Sequence, residues 1–581
     1  MYNKHKSQYY FILLVFLFFS NLSAKKIYVS SAQQISAALI TIQPGDTLVM
    51  TKGIWNNQQI IFQANGTVDK KIYLIAEKDG DVILTGTSTL RIAGNYLVVS
   101  GLFFKDGYSA SGAVVEFRNG SLNSNYCRLT NTAIVNYNPT DKAKDYKWIS
   151  LYGTYNRVDH CYLKGKDHLG TTLVVWLGTT PNYHIIDHNY FAYRPPYPEN
   201  GAETIRIGDS NTSMRDSYTT VEYNYFEQCN GETEIISNKS CGNIYRYNTF
   251  KECQGTLTLR HGNRCTVENN YFFCGNAPNS GGIRIIGEDH KVLNNYVEYA
   301  TGTGLRAGIC LMNGVPNSPL DRYFQVKRAI VAFNTVVNCK SSLVIGAGKD
   351  SELTLPPADC IIANNIFYSN QAPIVTLTDI PINMTWAKNI FFGTAIGMVL
   401  PENNLSAHPL LSKSADNIFR LLSGSPAINA ADPKYKYVDK DFDGQDRLDE
   451  YDIGADEFSN EGIKISPVGA HNTGPDFIRL QTSVTQSERS IIEEFSLNQN
   501  YPNPFNATTN ITYNLSSSGW ITLKVYDILG NEIALIENEF KQAGVYNSLF
   551  SIPNSQFPSG VYFYRLTVGN SSQIKKMILL K

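Results

Sequence analysis

His188-Asn189-Tyr190-Phe191, Tyr223-Asn224-Tyr225-Phe226, Tyr247-Asn248-Thr249-Phe250 and Asn269-Asn270-Tyr271-Phe272 are copies of one phrase, an asparagine followed by an aromatic or β-branched pair. Further copies are Asn294-Asn295-Tyr296-Val297, Phe333-Asn334-Thr335-Val336, Asn364-Asn365-Ile366-Phe367 and Lys388-Asn389-Ile390-Phe391. The second-position asparagines are spaced 35, 24, 22, 25, 39, 31 and 24 residues apart. A base period in the low twenties with variable insertions is the mark of a solenoid. Between the phrases lie short alternating runs such as Leu257-Thr258-Leu259-Arg260 and Ile283-Arg284-Ile285, with no sustained 3.6-residue periodicity. Short strands repeated at this period predict a parallel β-helix, in which each asparagine bonds its counterpart on the next rung and Phe, Tyr and Ile stack inside. The asparagines are thereby explained by structure, and no chemistry is assigned to them.

The composition agrees. With 43% hydrophobic residues, 36 Tyr, 28 Phe and 43 Gly, the 581-residue chain can bury a large core of β structure. Lys+Arg at 50 against Asp+Glu at 51 gives a formal net charge of −1, which argues against a general nucleic-acid binder. Lys4-His5-Lys6, the apolar run Tyr9–Phe19 and the small residues up to Ala24 have the order of a secretory signal peptide over residues 1–24. Eleven apolar residues fall short of the roughly 20 needed to cross a bilayer, so no membrane span is expected in the mature chain. The 10 cysteines include no CxxC pair, and Cys229, Cys241, Cys253 and Cys265 recur every 12 residues. Buried thiols stacked by the repeat account for that spacing better than a redox site.

Outside the repeat, Gln33–Leu39 reads as a short capping helix and Pro44-Gly45-Asp46 as a turn. The Asp-rich stretch Asp439–Asp456 resembles a calcium loop but lacks the full EF-hand spacing, and is expected to be a polar turn closing the β-helix. From 459 to 494 the chain turns polar and aperiodic, as a linker does, and 495–581 read as a small β-sandwich. The β-helix itself is expected over 25–458.

Three basic residues stand at similar distances before successive repeat asparagines: Lys239 before Asn248, Arg260 before Asn270 and Arg284 before Asn295. Rungs about 4.8 Å apart would stack them in a column on the outward face, suited to an anionic polymer. One coil earlier stand Glu232 and Glu234, and upstream of them Asn200. These oxygen ligands suit calcium, although paired carboxylates also serve glycoside hydrolases. The adjacent cations favour a different reaction, abstraction of the C5 proton of a uronic acid followed by β-elimination, with Lys239 as base and Arg260 assisting the leaving O4.

Asn200-Gly201-Ala202-Glu203-Thr204-Ile205-Arg206-Ile207-Gly208, Glu232-Thr233-Glu234, Ser237-Asn238-Lys239-Ser240, Leu259-Arg260-His261-Gly262-Asn263 and Gly281-Gly282-Ile283-Arg284 with His290 resemble polysaccharide lyase family 6, the alginate lyase and chondroitinase B family. The resemblance implies a calcium-assisted lyase on a right-handed parallel β-helix. Lys239 is then the Brønsted base and Arg260 the acid; Asn200, Glu232 and Glu234 are the calcium ligands, and Arg284, His261 and His290 contact substrate. Alginate is the expected polymer, with dermatan sulfate the alternative; a uronan C5-epimerase and a non-catalytic glycan-binding β-helix are rival readings. Asn500-Tyr501-Pro502-Asn503-Pro504-Phe505-Asn506, Val525-Tyr526-Asp527-Ile528-Leu529-Gly530, Ser559-Gly560-Val561-Tyr562 and Lys575-Lys576 resemble the C-terminal sorting domain of the type IX secretion system. That similarity implies a secreted or cell-surface protein that engages the type IX machinery.

Overall fold

The computed structural model describes residues 24–371, 373–414, 416–479, 495–500, 502–515, 519–541, 544–552, 557–569 and 571–580. The expected signal peptide up to Ser23 and positions 480–494 of the expected linker lie outside the described residues. The chain forms two compact units, Met1–Ile478 and Arg479–Lys581.

In the first unit the repeat winds three long sheets of 14, 13 and 14 strands, parallel but for one short pair, Arg118–Asn119 with Leu122–Asn125. One coil shows the plan. Thr220–Glu222 lies in the first sheet, Tyr225–Cys229 in the second and Glu234–Lys239 in the third, before Ile244–Arg246 re-enters the first beside Thr220–Glu222. The helix Ala32–Leu39 stands near the start, with Ser31 accepting a bond from the Gln34 amide as its N-cap.

The asparagines form the expected ladder. Each carboxamide oxygen accepts from both the backbone and the side-chain nitrogen of the preceding rung: Asn224 serves Asn189, Asn248 serves Asn224, Asn270 serves Asn248, and so on through Asn389 to Asn404. The residue before each asparagine is left-handed, with φ of 52° at His188, 52° at Tyr223, 54° at Tyr247 and 57° at Phe333. Bulky side chains rarely adopt that region, so the ladder must offset its cost at every coil. Inside, Phe191, Phe226, Phe250 and Phe272 stack with centroids 4.9, 4.6 and 4.5 Å apart. All ten cysteines are buried and unpaired. Their 12-residue spacing resolves into two columns one coil deep: Cys229 N–H meets Cys253 Sγ at 3.4 Å, while Cys241 and Cys265 occupy another corner.

Two expectations need correction. The linker does not begin at 459, because Val468 and Phe477 pack against Ala133, Tyr162, Tyr190 and Tyr225 on the flank of the coils. Apolar side chains that cover outward tyrosines make this stretch part of the first unit up to Ile478. Nor does the Asp-rich stretch close an end of the solenoid. It lies on the flank of the central coils, where Phe442 packs on Tyr271 and Tyr296 and its carbonyl accepts the Tyr271 hydroxyl at 2.7 Å. Its carboxylates are used internally: Asp443 pairs with Arg420, Asp441 accepts from the Gln445 and Glu457 amides, and Asp456 accepts from the Leu421 amide.

In the second unit, Ser496–Leu497, Thr508–Leu515 and Gly544–Ser551 form one antiparallel sheet; Glu532–Lys541, Gly519–Tyr526, Gly560–Val568 and Ser571–Leu579 form another. Ile511, Tyr513, Leu523, Val525, Tyr564, Leu566 and Met577 share the core, as in a β-sandwich.

Candidate active site

The third sheet carries the site on its outward face. Ile236, Leu257, Leu259, Ile283 and Ile285 point into the core, so the alternating positions between and after them point out. There Lys239, Arg260, Arg284, Glu232, Glu234 and Asn200 line one cavity of about 680 Å³, together with Arg306 and Tyr323.

The three cations converge without forming a column. Thr258 is the partner of Arg284, and a register shift between Asn238 and Lys239 sets Lys239 opposite His261. Arg260 is therefore two residues beyond the station of Arg284, and their repulsion is relieved by Glu234 rather than left for an external polymer. Arg284 donates to Glu234 Oε1, and Arg260 Nε lies 3.8 Å from the same oxygen.

Arg260 is held from several sides. Its guanidinium lies 3.9 Å from the Tyr323 ring centroid, and Nη1 donates to His261 Nε2 at 2.9 Å. Burial holds it below the ordinary guanidinium value, outweighing the pull of Tyr323 and Glu234, and Arg284 and Arg322 push the same way. Burial also pushes His261 down to about 3, with Arg260 and Lys239 adding to the effect. The ring is neutral, and accepting through Nε2 leaves its proton on Nδ1. His261 is almost fully buried behind Arg260 and supports its guanidinium, where the family resemblance implies contact with substrate.

His290 departs further from expectation. It is fully buried, Nδ1 accepts from the Cys265 amide at 3.2 Å and Nε2 meets the Ile286 carbonyl at 2.9 Å. Both nitrogens are taken by backbone, which removes it from substrate contact and leaves it a structural role.

The carboxylates gain a member that the sequence reading passed over. Oxygens of Glu203, Glu232 and Glu234 lie within 4.8 Å of one another. Ile205 pairs with Ile236, so Glu203 sits one coil below Glu234; counting back one coil from Glu234 would have found it. Glu232 lies in the bend before the strand that starts at Glu234, so the two do not share a strand face, although both reach the cluster. Burial, then the charges of Glu203 and Glu234, push Glu232 up to about 8. Glu203 Oε2 and Glu232 Oε1 are buried with no hydrogen-bond partner. Two orphaned carboxylate oxygens beside a third carboxylate, all oxygen donors that repel one another, suit a hard divalent cation, so this set fits calcium. Beneath it lies Arg194, also absent from the sequence reading. It is buried, donates to Thr172 Oγ1 at 2.7 Å, and is lowered to about 10 by burial against the pull of Glu203.

This sheet face brings cations and a cation-ready carboxylate cluster together on a parallel β-helix, and that combination is the class the fold and site define. Residues 29–397 match the family described as chondroitinase B, and the chain belongs to that family. Residues 499–580 match the secretion-system C-terminal sorting domain. Among solved structures, the PL6 family alginate lyase AlyGC is 36% identical over 78% of this chain and 58% of its own, with a TM-score of 0.69. A mannuronic acid specific family 6 lyase from human gut microbiota is 32% identical over 64% of this chain and 87% of its own, with a TM-score of 0.58. A PL6 family polysaccharide lyase from Pseudopedobacter saltans is 30% identical over 62% and 92%, with a TM-score of 0.56. This chain thus spans little more than half the length of AlyGC. No curated protein matches the sequence. Among the described residues no helix is long and apolar enough to cross a membrane.

Proposed function

We propose that this protein is an exported polysaccharide lyase that cleaves a uronic-acid polymer, alginate first, by β-elimination. The observation that carries the reading is the convergence of Lys239, Arg260 and Arg284 with Glu232 and Glu234 in one cavity on the outward sheet face, with Glu203 buried against the two carboxylates.

In this reading Arg284 and Arg306, at the wall of the cavity, orient an anionic sugar unit. The amine of Lys239 takes the C5 proton. Arg260, its acidity raised by burial, stands across the cavity to hold and protonate the O4 oxygen as the C4–O4 bond breaks. Neutral His261 and the ring of Tyr323 fix the plane of that guanidinium, and the products are a shortened chain and an unsaturated sugar. Glu203, Glu232 and Glu234, with Asn200 at the rim, would hold calcium, which when bound supplies positive charge against the substrate carboxylate as negative charge develops there. Alginate is favoured because structures at 30% identity or more include alginate and mannuronate lyases; the family name makes dermatan sulfate the second substrate. The sorting domain supports export through the type IX system, with the protein released or kept at the cell surface.

The test is incubation of the mature protein with alginate, with and without a calcium chelator, following the near-ultraviolet absorbance of the C4–C5 double bond. A rise abolished by the chelator supports both elimination and the metal. A rise indifferent to the chelator removes calcium from the mechanism. Flat traces on alginate and dermatan sulfate alike refute the lyase and leave epimerisation or binding.

A further inference from the structure

The same outward sheet face carries a second cavity, of about 380 Å³, that shares no lining residue with the first. Arg118, Tyr152 and Trp176 form its floor, and the exposed loop Gly178–Thr180 its wall. Register places it. Leu151 pairs with Val175 and Val175 with Ile207, so Tyr152, Trp176 and Gly208 stand in one row along the sheet. Gly208 pairs in turn with Lys239. Trp176 is therefore two rungs from Lys239 along the direction a polymer would take across the coils, or about 10 Å at the usual rung spacing. No side chain stands between them in that row, because Gly208 has φ +85° and a Cβ there would meet the Lys239 carbonyl at 2.4 Å.

The chemistry of the floor is aromatic and cationic. Tyr152 and Trp176 lie nearly parallel, 15° apart with centroids separated by 6.0 Å. The Arg118 guanidinium caps Tyr152 at 3.8 Å and is balanced by Glu116. Arg206 lies 5.3 Å from the Trp176 ring on the side nearer the catalytic cavity. Unlike Arg118 it has no carboxylate: no ion pair or hydrogen bond engages its side chain among the described residues, and its Nε is buried without a partner. A guanidinium with no internal counter-ion beside a partly exposed indole is complementary to a sugar that carries a carboxylate and an apolar ring face.

We infer that Arg206, Trp176, Tyr152 and Arg118 form a distal subsite for a uronate unit of the polymer whose scissile bond lies at Lys239. This rests on the lyase reading for the identity of the polymer. One pyranose unit of an extended 1,4-linked chain advances by roughly one rung, so Arg206 and Trp176 meet a sugar one to two units beyond the reacting one. The subsite makes catalytic efficiency rise with chain length.

The experiment measures kcat/KM on defined uronate dimers, which stop short of the subsite, and hexamers for wild type, Trp176→Ala and Arg206→Gln. The expected result is that the gain from dimer to hexamer falls about tenfold in each variant, the usual scale for loss of one anchoring contact. An equal fall on both lengths, or no fall on either, overturns the subsite. A second arm uses the Lys239→Ala protein, in which hexamer should quench tryptophan fluorescence and Trp176→Phe should remove the quench. A quench that survives Trp176→Phe overturns the proposal. The arms separate the two readings: if wild type makes no unsaturated product from any uronan, the lyase fails, and a Trp176-dependent quench still upholds the subsite.

Discussion

Removing one rung of the asparagine ladder beside the site should destabilise the β-helix by an amount that the hydrogen bonds set. Asn248 follows the strand of Lys239 and precedes that of Arg260. Its Oδ1 accepts from Asn224 N and Nδ2, each at 3.1 Å, and its Nδ2 donates to Val221 O and Asn270 Oδ1, each at 2.9 Å. All of these groups are buried. Asn248→Ala leaves the Asn224 amide without its acceptor and the Val221 carbonyl short of a donor. Asn270 Oδ1 keeps the Asn248 N–H, so the two groups left short are the Asn224 amide and the Val221 carbonyl; at about 1–3 kcal/mol each, with a small cavity, they give a loss of about 4 kcal/mol. The change Asn248→Asp sharpens the argument. The introduced carboxylate can still accept from Asn224, but it faces two oxygens where the amide donated, and ionisation there is opposed. The folded-state pKa of the introduced carboxyl is thereby raised above its unfolded value, so its contribution to stability grows as pH falls. Urea unfolding at pH 8 and pH 5 should place Asn248→Asp level with or below Asn248→Ala at pH 8 and clearly above it at pH 5. A loss under about 1 kcal/mol for the alanine variant, or an aspartate variant that tracks alanine at both pH values, would refute the ladder as a source of stability.

Lys239→Ala should abolish formation of unsaturated product, by about 10³-fold or more on the usual scale for a general base, without lowering the melting temperature; residual turnover above about a hundredth of wild type would remove Lys239 from that role. Arg260→Lys should lose at least about tenfold in kcat, because an ammonium cannot both contact His261 and lie flat on Tyr323; full activity would show that only charge is needed. Calcium should raise the melting temperature of wild type and not that of Glu203→Gln, as read by differential scanning calorimetry. Asp159 is buried, and although burial by itself would raise it, hydrogen bonds from Arg128 and His160 hold it well below the usual carboxylate range. Its stabilisation is complete above about pH 4 and lost as pH falls toward the depressed folded value. Asp159→Asn should accordingly cost about 3 kcal/mol at pH 7, and the gap to wild type should begin to narrow below about pH 4 and keep narrowing as pH falls further, as read by urea unfolding.

The frame was legible because it repeats. Asparagine at the turn and phenylalanine two positions later recur with the coil, and their physical need, a buried hydrogen-bond ladder and a stacked core, is local to each copy. The flank was not legible for the converse reason. Residues between Leu411 and Ile478 cover outward tyrosines such as Tyr190, Tyr271 and Tyr296 through scattered apolar side chains on irregular backbone, which leaves no period in the sequence. His290 was misplaced because a histidine beside a matched motif looks chemical, while the backbone groups that claim both its nitrogens have no signature in sequence.

The site itself was legible in kind and not in register, and the reason lies in where the coils are irregular. Around the site, the first and second sheets pair without a shift, residue for residue, from Thr220 to Leu293 and from Tyr225 to Glu298. The third sheet breaks register three times over the same coils, between Glu234 and Ile236, between Asn238 and Lys239, and between Gly255 and Leu257. Each break re-aims an outward side chain. The second sets Lys239 opposite His261 and so offsets the amine from Arg260 across the cavity. Without that break Lys239 would stand opposite Arg260, like charge on like charge, with no gap between them for a sugar to enter. A count from the repeat asparagine assumes a constant offset, and the offset changes in just these coils. Regularity on two faces holds the frame still, so that irregularity on the third can bring a base, an acid and a carboxylate cluster to one point.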